Sequence, residues 1–212
     1  MGAKTEEIQQ DIYLLKGEGK GSHNYLVRAA YRNVLIDSGL DQNFLRLQEQ
    51  LLSLGLKLRD IDVVINTHEH LDHIGSNRYF QESSLIAAHR FAATKITLED
   101  HYVTLYRSGD LNEVPLRVHL WLENRSLFDL GSHTLEVIHT PGHTSGSICI
   151  YEFSRRLHQF YHAIRGSEDI KDLSRSWRHF SKSRAGFIRG NYQCEETIAV
   201  REDRFNHRLF PI

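Results

Sequence analysis

Short apolar runs alternate with polar turn segments over the first 150 of the 212 residues. Runs rich in Val, Ile, Leu and Tyr and bounded by Gly, Asn, Asp or Ser predict β-strands. Residues 30–33 separate two of the runs, which predicts a hairpin there. The predicted strands cover residues 12–15, 25–28, 34–36, 61–65, 85–88, 127–128, 135–138 and 148–151.

One segment between the strands has a helical period instead. Its apolar positions lie three or four residues apart, which predicts an amphipathic helix with Asp41 as a candidate cap and Gly55 at its end. Residues 90–120 have no single period and predict mixed helix and loop. Strands, hairpins and helices in this order predict an α/β fold with two sheets packed between helices. The apolar helical positions are Phe44, Leu47, Leu51 and Leu54.

The chain changes character near residue 153. Residues 1–152 hold 14 Lys and Arg against 20 Asp and Glu, whereas residues 153–212 hold 12 against 7. The second segment contains ten arginines and shows no convincing alternation or helical stripe. We therefore divide the chain into a domain body, residues 1–152, and an atypical basic C-terminal region of the same domain, residues 153–212.

Composition excludes several classes of protein. No apolar run approaches the roughly 18 residues that cross a bilayer, and the N-terminus lacks the apolar segment of a signal peptide. We therefore expect a cytoplasmic protein with no membrane partner. A net charge of −1 gives no reason to expect nucleic acid as a partner, and two cysteines cannot form a disulfide framework.

Histidine is the residue type that stands out, and three of the 14 lie within six residues. His68, His70, Asp72 and His73 follow the strand predicted at 61–65 directly. In an extended segment, side chains at i and i+2 point to the same face, so His68 and His70 can reach one ion together. Imidazole and carboxylate groups suit Zn²⁺, with Fe or Mn as further possibilities.

Two motifs together resemble the metallo-β-lactamase superfamily. The segment His68-Glu69-His70-Leu71-Asp72-His73 resembles its HxHxDH signature, and residues 140–147, Thr-Pro-Gly-His-Thr-Ser-Gly-Ser, resemble its TPGHTxGS loop. Residues 24–27 and 35–39 are similar to an early strand and to an LIDTG turn of the family. The similarity covers roughly residues 10–152, in the expected order.

The resemblance implies an αβ/βα sandwich with metals in a groove at the sheet edges. By matched position, His68, His70 and His143 would bind a first metal, and Asp72 and His73 would contribute to a second. Two such ions activate water for hydrolysis, and Asp72 is the expected catalytic residue because it can accept the proton of that water. Asp37 of the LIDTG-like turn would support the cluster.

The C-terminal region departs from the family pattern, which asks for a bridging Asp near residue 162 and a final His. Position 162 is a histidine, and Asp169 comes seven residues late. His179 and His207 are the candidates for the final ligand.

Three interpretations remain open for this region. His162 or Asp169 replaces the bridging ligand, or only the first metal binds firmly, or a frameshift or truncation has replaced the native C-terminus. Translating the encoding DNA in the other two frames tests the last of these.

The expected function is a zinc-dependent hydrolase of a small molecule that carries an ester, thioester, lactone or β-lactam bond, with one or two ions bound. A mononuclear-iron sulfur dioxygenase-like oxidoreductase would need only the first three ligands and stays an alternative. A degenerate metal-binding member with weak or no activity is the third possibility. The sequence specifies neither the substrate nor the oligomeric state.

Overall fold

A computed structural model describes residues 5–105, 115–154, 197–201 and 207–211. Within these ranges the α-helices are α1 (Phe44–Ser53), α2 (Leu71–Ile74), α3 (Arg90–Thr97) and α4 (His101–Thr104). The strands of the described residues are β1 (Thr5–Gln9), β2 (Ile12–Leu15), β3 (Asn24–Arg28), β4 (Asn33–Ile36), β5 (Val63–Asn66), β6 (Leu85–His89), β7 (Leu120–Leu122), β8 (Leu127–Asp129), β9 (His133–His139), β10 (Ile148–Ser154), β11 (Thr197–Arg201) and β12 (His207–Pro211).

The strands form two sheets. The first sheet has the order β1-β2-β3-β4-β5-β6-β7, antiparallel from β1 to β4 and parallel from β4 to β7. The second has the order β12-β11-β10-β9-β8, in which β10 and β11 pair in parallel. The carboxyl ends of β4, β5 and β6 therefore share one edge of the first sheet, where ligand sites of parallel sheets form.

A hydrophobic core fills the space between the sheets. Side chains of β3, β4 and β5 on one side meet side chains of β9 and β10 on the other. Alternate residues of the same first-sheet strands point to the opposite face, where they pack against α1. Because β5 is covered on both faces, all four of its residues are buried.

The structure confirms the predicted two-sheet α/β architecture and every predicted strand to within a few residues. The helix predicted around residues 44–54 is α1, and Gly55 follows its end with a left-handed φ of 76°. Asp41 does not cap α1. It begins a separate short 3₁₀ turn and pairs with Arg78 instead.

Four of the described strands, β1, β7, β11 and β12, are not predicted by the pattern. Strand β1 is absent from the sequence prediction because its residues, Thr-Glu-Glu-Ile-Gln, are mostly polar, as suits a strand at the edge of a sheet. The C-terminal region does contain strands, since β11 and β12 add to the second sheet. Each of these two strands has only five residues, and so short a segment shows too little alternation for the pattern alone to reveal it.

No helix within the described ranges is long and apolar enough to cross a membrane.

Candidate metal centre

Strand β5 delivers the first two histidines to the edge of the first sheet. The chain leaves β5 at Asn66, and His68 and His70 follow while the backbone is still extended at His70. Their side chains share one face, and Nε2 of His68 lies 2.9 Å from Nδ1 of His70. The predicted same-face arrangement of these two side chains is what the structure contains.

The third histidine comes from the loop that joins β9 to β10 in the other sheet. His143 Nε2 lies 2.9 Å from the same His70 Nδ1. The loop closes on itself through Thr140 N, which donates to Ser147 O at 2.9 Å. It is tied to the first sheet through Ile148 N, which donates to Thr67 O at 2.9 Å. Both sheets therefore contribute to one cluster.

The three imidazoles fit a metal ion. One ligand nitrogen from each of His68, His70 and His143 lies within 4.8 Å of the other two. Tetrahedral zinc with Zn–N bonds of about 2.0–2.1 Å places its ligand nitrogens roughly 3.3 Å apart, so small side-chain adjustments suffice. Three histidines leave the fourth position of a tetrahedral zinc ion for water or substrate. Because His143 is exposed, that position can be reached from solvent.

The electrostatics keep two of these rings in the form that binds metals. Burial and the neighbouring His73 lower the pKa of His68 to about 2. Burial and His143 also lower the pKa of His70 from its ordinary value. Both imidazoles are therefore neutral at physiological pH, which is the form of histidine that ligates a metal.

Asp72 and His73 lie beside the cluster in α2. The ring of His73 is 4.1 Å from the ring of His68, and its Nε2 lies 3.4 Å from Oδ2 of Asp72. Burial acts to raise the pKa of Asp72, but the hydrogen bond and charge of His73 hold it below its ordinary value. Asp72 is thus a carboxylate at neutral pH, with a side chain 40% exposed to solvent.

The fully buried carboxylate of Asp37 orients this part of the site. Its Oδ2 accepts from Nδ1 of His73 at 2.9 Å and from the hydroxyl of Thr67 at 2.6 Å. Its Oδ1 accepts from Thr67 N at 2.8 Å. This arrangement agrees with the supporting role that the LIDTG-like turn implies, because it fixes the ring of His73 with Nε2 toward Asp72.

An early loop forms one wall of the site. Ser22 Oγ donates to the backbone carbonyl of Asp72 at 2.7 Å. The neighbouring His23 is half-buried, and its Nδ1 accepts from Gly17 N at 3.1 Å.

Three other histidines lie outside the cluster, although Nε2 of His139 is 2.9 Å from Ser145 O in the loop of His143. His89 and His139 stack with ring centroids 3.9 Å apart, and burial lowers the pKa of His89. His133 Nδ1 donates to the buried Glu152 at 2.8 Å.

Sequence reasoning missed the surroundings of Glu69, whose carboxylate is fully buried behind the histidines. It contacts Lys95 of α3 and accepts from Thr144 Oγ1 at 2.8 Å. The sequence did hold one indication: Glu69 lies between two histidines that share a face of an extended segment, so its side chain must point to the opposite face.

The remaining predicted ligands are not placed. His162, Asp169 and His179 lie outside the described residues. His207 begins β12, and its side chain is outside the description. The bridging and final ligands therefore stay predictions.

Solved structures share the fold. A metallo-beta-lactamase from Cronobacter sakazakii matches with a TM-score of 0.59 and 24% identity, covering 70% of this chain and 63% of that chain. The subclass B3 metallo-beta-lactamase BJP-1 of Bradyrhizobium japonicum matches with a TM-score of 0.56 and 22% identity, covering 68% and 59%. At these identities the likeness shows the fold, which agrees with the predicted αβ/βα sandwich.

Curated relatives are similar over about the same part of the chain. A protein of Methanocaldococcus jannaschii named "Probable metallo-hydrolase" is 35% identical over 154 residues, which are 68% of this chain and 68% of that protein. The acyl-coenzyme A thioesterase of Homo sapiens is 27% identical over 71% of this chain. The match spans only 60% of the length of that thioesterase.

A family model matches most of the described chain. The model of the metallo-beta-lactamase superfamily aligns with residues 17–157, which include both histidine motifs. This stretch also includes the strands that position the motifs, from β3 to β10. The chain belongs to the metallo-beta-lactamase superfamily.

Proposed function

We propose that this protein is a zinc-dependent hydrolase that cleaves the thioester bond of a small molecule with water. The observation that carries the proposal is the convergence of His68, His70 and His143, whose ring nitrogens come from two different sheets to within 4.8 Å of one another. Membership of the superfamily and the hydrolase names of its relatives support metal-dependent hydrolysis in general.

In this proposal His68, His70 and His143 hold the first zinc, and Asp72 with His73 contributes to a second. Zinc bound there would lower the pKa of water and polarise the carbonyl group whose carbon the water attacks. The neutral rings of His68 and His70 bind without first losing a proton. Asp37 keeps the ring of His73 turned so that its Nε2 faces Asp72.

Asp72 is the proposed catalytic residue. Its carboxylate is ionised at neutral pH and partly open to solvent, so Oδ2 can accept a proton from attacking water. The hydrogen bond from Ser22 to its backbone carbonyl holds this turn in place. His23 lies in the same early loop and is a candidate substrate contact.

Thioesters are favoured among the possible substrates by the relatives. The human relative is named an acyl-coenzyme A thioesterase. A protein of Schizosaccharomyces pombe named "Probable hydroxyacylglutathione hydrolase" is 30% identical over 52% of this chain and 36% of its own length. Both names describe cleavage of a bond between an acyl group and sulfur. The absence of nucleic-acid and membrane partners and a cytoplasmic location stay predictions.

The test is metal content and turnover of the purified full chain. We expect zinc to co-purify, and we expect hydrolysis of an acyl-coenzyme A or S-acylglutathione to exceed that of a lactone, a β-lactam or a phosphodiester. Iron without zinc would favour the dioxygenase alternative. Zinc-loaded protein that turns over none of these substrates would contradict the proposal and favour a degenerate member.

The variant His70→Ala removes the nitrogen that lies within 2.9 Å of both other ligands. Turnover should fall by at least about 100-fold, since the metal supplies several kcal/mol of transition-state stabilisation. His101→Ala is the matched control because His101 is exposed at the start of α4. Equal activity of the two variants would exclude the proposed site.

A further inference from the structure

We propose that Glu69, Lys95 and Thr144 form a positioning bridge that holds the His143 loop against the segment carrying His68 and His70, and so sets the affinity for zinc. The inference rests on the proposed metal site. It concerns residues that do not touch the metal themselves.

The need for such a device follows from the origin of the ligands. His68 and His70 follow β5 of the first sheet, whereas His143 lies in the loop between β9 and β10 of the second. A shift of one sheet against the other would move His143 relative to its partners. Zinc requires its ligand nitrogens to be placed within a few tenths of an ångström.

Glu69 stands where it can connect the two segments. It lies between the two histidines, and its side chain points to the opposite side of the extended segment. There its carboxylate is fully buried, and Oε2 accepts from the hydroxyl of Thr144, the residue that follows His143, at 2.8 Å. The bond thus joins the neighbours of all three ligands.

Lys95 completes the bridge from α3. Its ammonium pairs with Oε1 of Glu69 and donates to Ser145 Oγ at 2.8 Å, so one cation contacts both segments. The Lys95 side chain is 23% exposed. A buried ion pair is a weak source of stability compared with apolar packing, but it is a directional constraint. Its value here is therefore geometric.

The hydroxyl of Thr144 also organises its own loop. It lies 3.0 Å from Ser147 Oγ and accepts from Gly146 N at 3.2 Å. Thr144 is therefore the point at which the internal bonds of the loop join the bond to Glu69.

The test compares Thr144→Val with Thr144→Ser by titrating metal-free full-length protein with zinc against a competing chelator. The valine variant keeps the shape and loses the hydroxyl, whereas the serine variant keeps it. We expect zinc to bind the valine variant about 10- to 100-fold more weakly, as for other groups that orient metal ligands, and the serine variant within about twofold of wild type.

Lys95→Met provides a second test of the positioning bridge. Lys16→Met is its control, because Lys16 also forms an ion pair, but an exposed one with Glu6. Lys95→Met should weaken zinc binding about 10-fold or more, and Lys16→Met should leave it unchanged. Urea unfolding of the metal-free variants separates the roles. A purely structural bridge would lower the unfolding midpoint and leave the zinc dissociation constant of the folded protein unchanged.

Wild-type zinc affinity in Thr144→Val and in folded Lys95→Met would overturn the positioning bridge while leaving the metal site in place. If Lys95→Met does not fold, the comparison of Thr144→Val with Thr144→Ser decides whether the positioning bridge sets the zinc affinity. Failure of the wild-type chain to bind zinc would overturn the proposed function as well.

Discussion

Asp37 is the residue on which the hydrogen bonds around His73 converge. It has no solvent exposure and receives three hydrogen bonds from Thr67 and His73. A carboxylate can only accept, so all three donors are matched to it. Its backbone is left-handed, with a φ of 58°, which Asp and Asn tolerate better than other residues with a side chain.

Asp37→Asn keeps the shape of the side chain and the left-handed backbone. It replaces one accepting oxygen with an NH₂ group, which cannot accept from the Thr67 and His73 donors. We expect the free energy of unfolding to fall by about 1–3 kcal/mol, the cost of unmatched buried polar groups. Occupancy of the proposed second zinc should also fall, because His73 loses its orienting acceptor. Urea unfolding and metal analysis measure the two effects.

Asp62→Asn is the control. Asp62 also accepts a hydrogen bond from a backbone nitrogen, Asn33 N at 2.8 Å, but it precedes the first residue of β5, at the end of the strand opposite to the histidines. It should leave the zinc content unchanged. Unchanged zinc content in Asp37→Asn as well would contradict the orienting role.

At the residue scale, the proximity of His68, His70 and His143 was predictable because two of them are close in sequence and the third lies in a recognisable loop. The i and i+2 spacing predicts that His68 and His70 share a face, and the structure agrees. The partners of Glu69 were not predictable. Lys95 and Thr144 lie 26 and 75 residues away, and only tertiary packing brings them to it.

The loop of residues 140–147 packs closely against α3. A Cβ atom on Gly146 would lie 2.5 Å from the backbone nitrogen of Ala92 and 2.6 Å from its Cβ. The loop therefore packs directly on the first turn of α3. The same helix supplies Lys95, so α3 positions the loop in two ways.

Gly146→Ala should push the loop away from α3. We expect a loss of about 1–3 kcal/mol in the free energy of unfolding, typical of overpacking, together with weaker zinc binding through displaced His143. Gly142→Ala is the matched control, because a Cβ there meets nothing within 4 Å. Identical unfolding midpoints and zinc affinities in the two variants would show that the contact with Ala92 is not a constraint.

Element prediction succeeded where a segment is buried and failed at edges. Strand β5 is an apolar run covered on both faces, and α1 has a continuous apolar stripe against the first sheet. Strand β7 has three residues, and β1 carries mostly polar ones. Such segments become strands because a neighbour offers a free edge, which local sequence does not encode.

The described part of the molecule is two sheets around a shared core, and strands of the C-terminal region contribute to the second. Strand β11 pairs in parallel with β10 from Ile150 to Glu152, so β10 is an interior strand. The change of composition at residue 153 therefore does not coincide with the end of the fold. The proposed division into residues 1–152 and 153–212 describes a difference in amino-acid composition and charge between the two segments.

A chain that ends at Ser154 would expose the edge of β10 that β11 covers from Ile150 to Glu152. Unprotected edges of apolar strands pair with other chains, so we expect high-mass aggregates in light scattering and a lower unfolding midpoint than that of the full chain. A monomeric truncated chain with the full-length midpoint would show that β11 and β12 are dispensable for the fold.

In the proposed function, the imidazoles of His68, His70 and His143 bind a single zinc ion. X-ray absorption of full-length protein loaded with one equivalent of zinc tests it most directly. We predict three imidazole nitrogens at about 2.0–2.1 Å from zinc, falling to two in His143→Ala. A spectrum without imidazole scattering, or one that His143→Ala leaves unchanged, would contradict it.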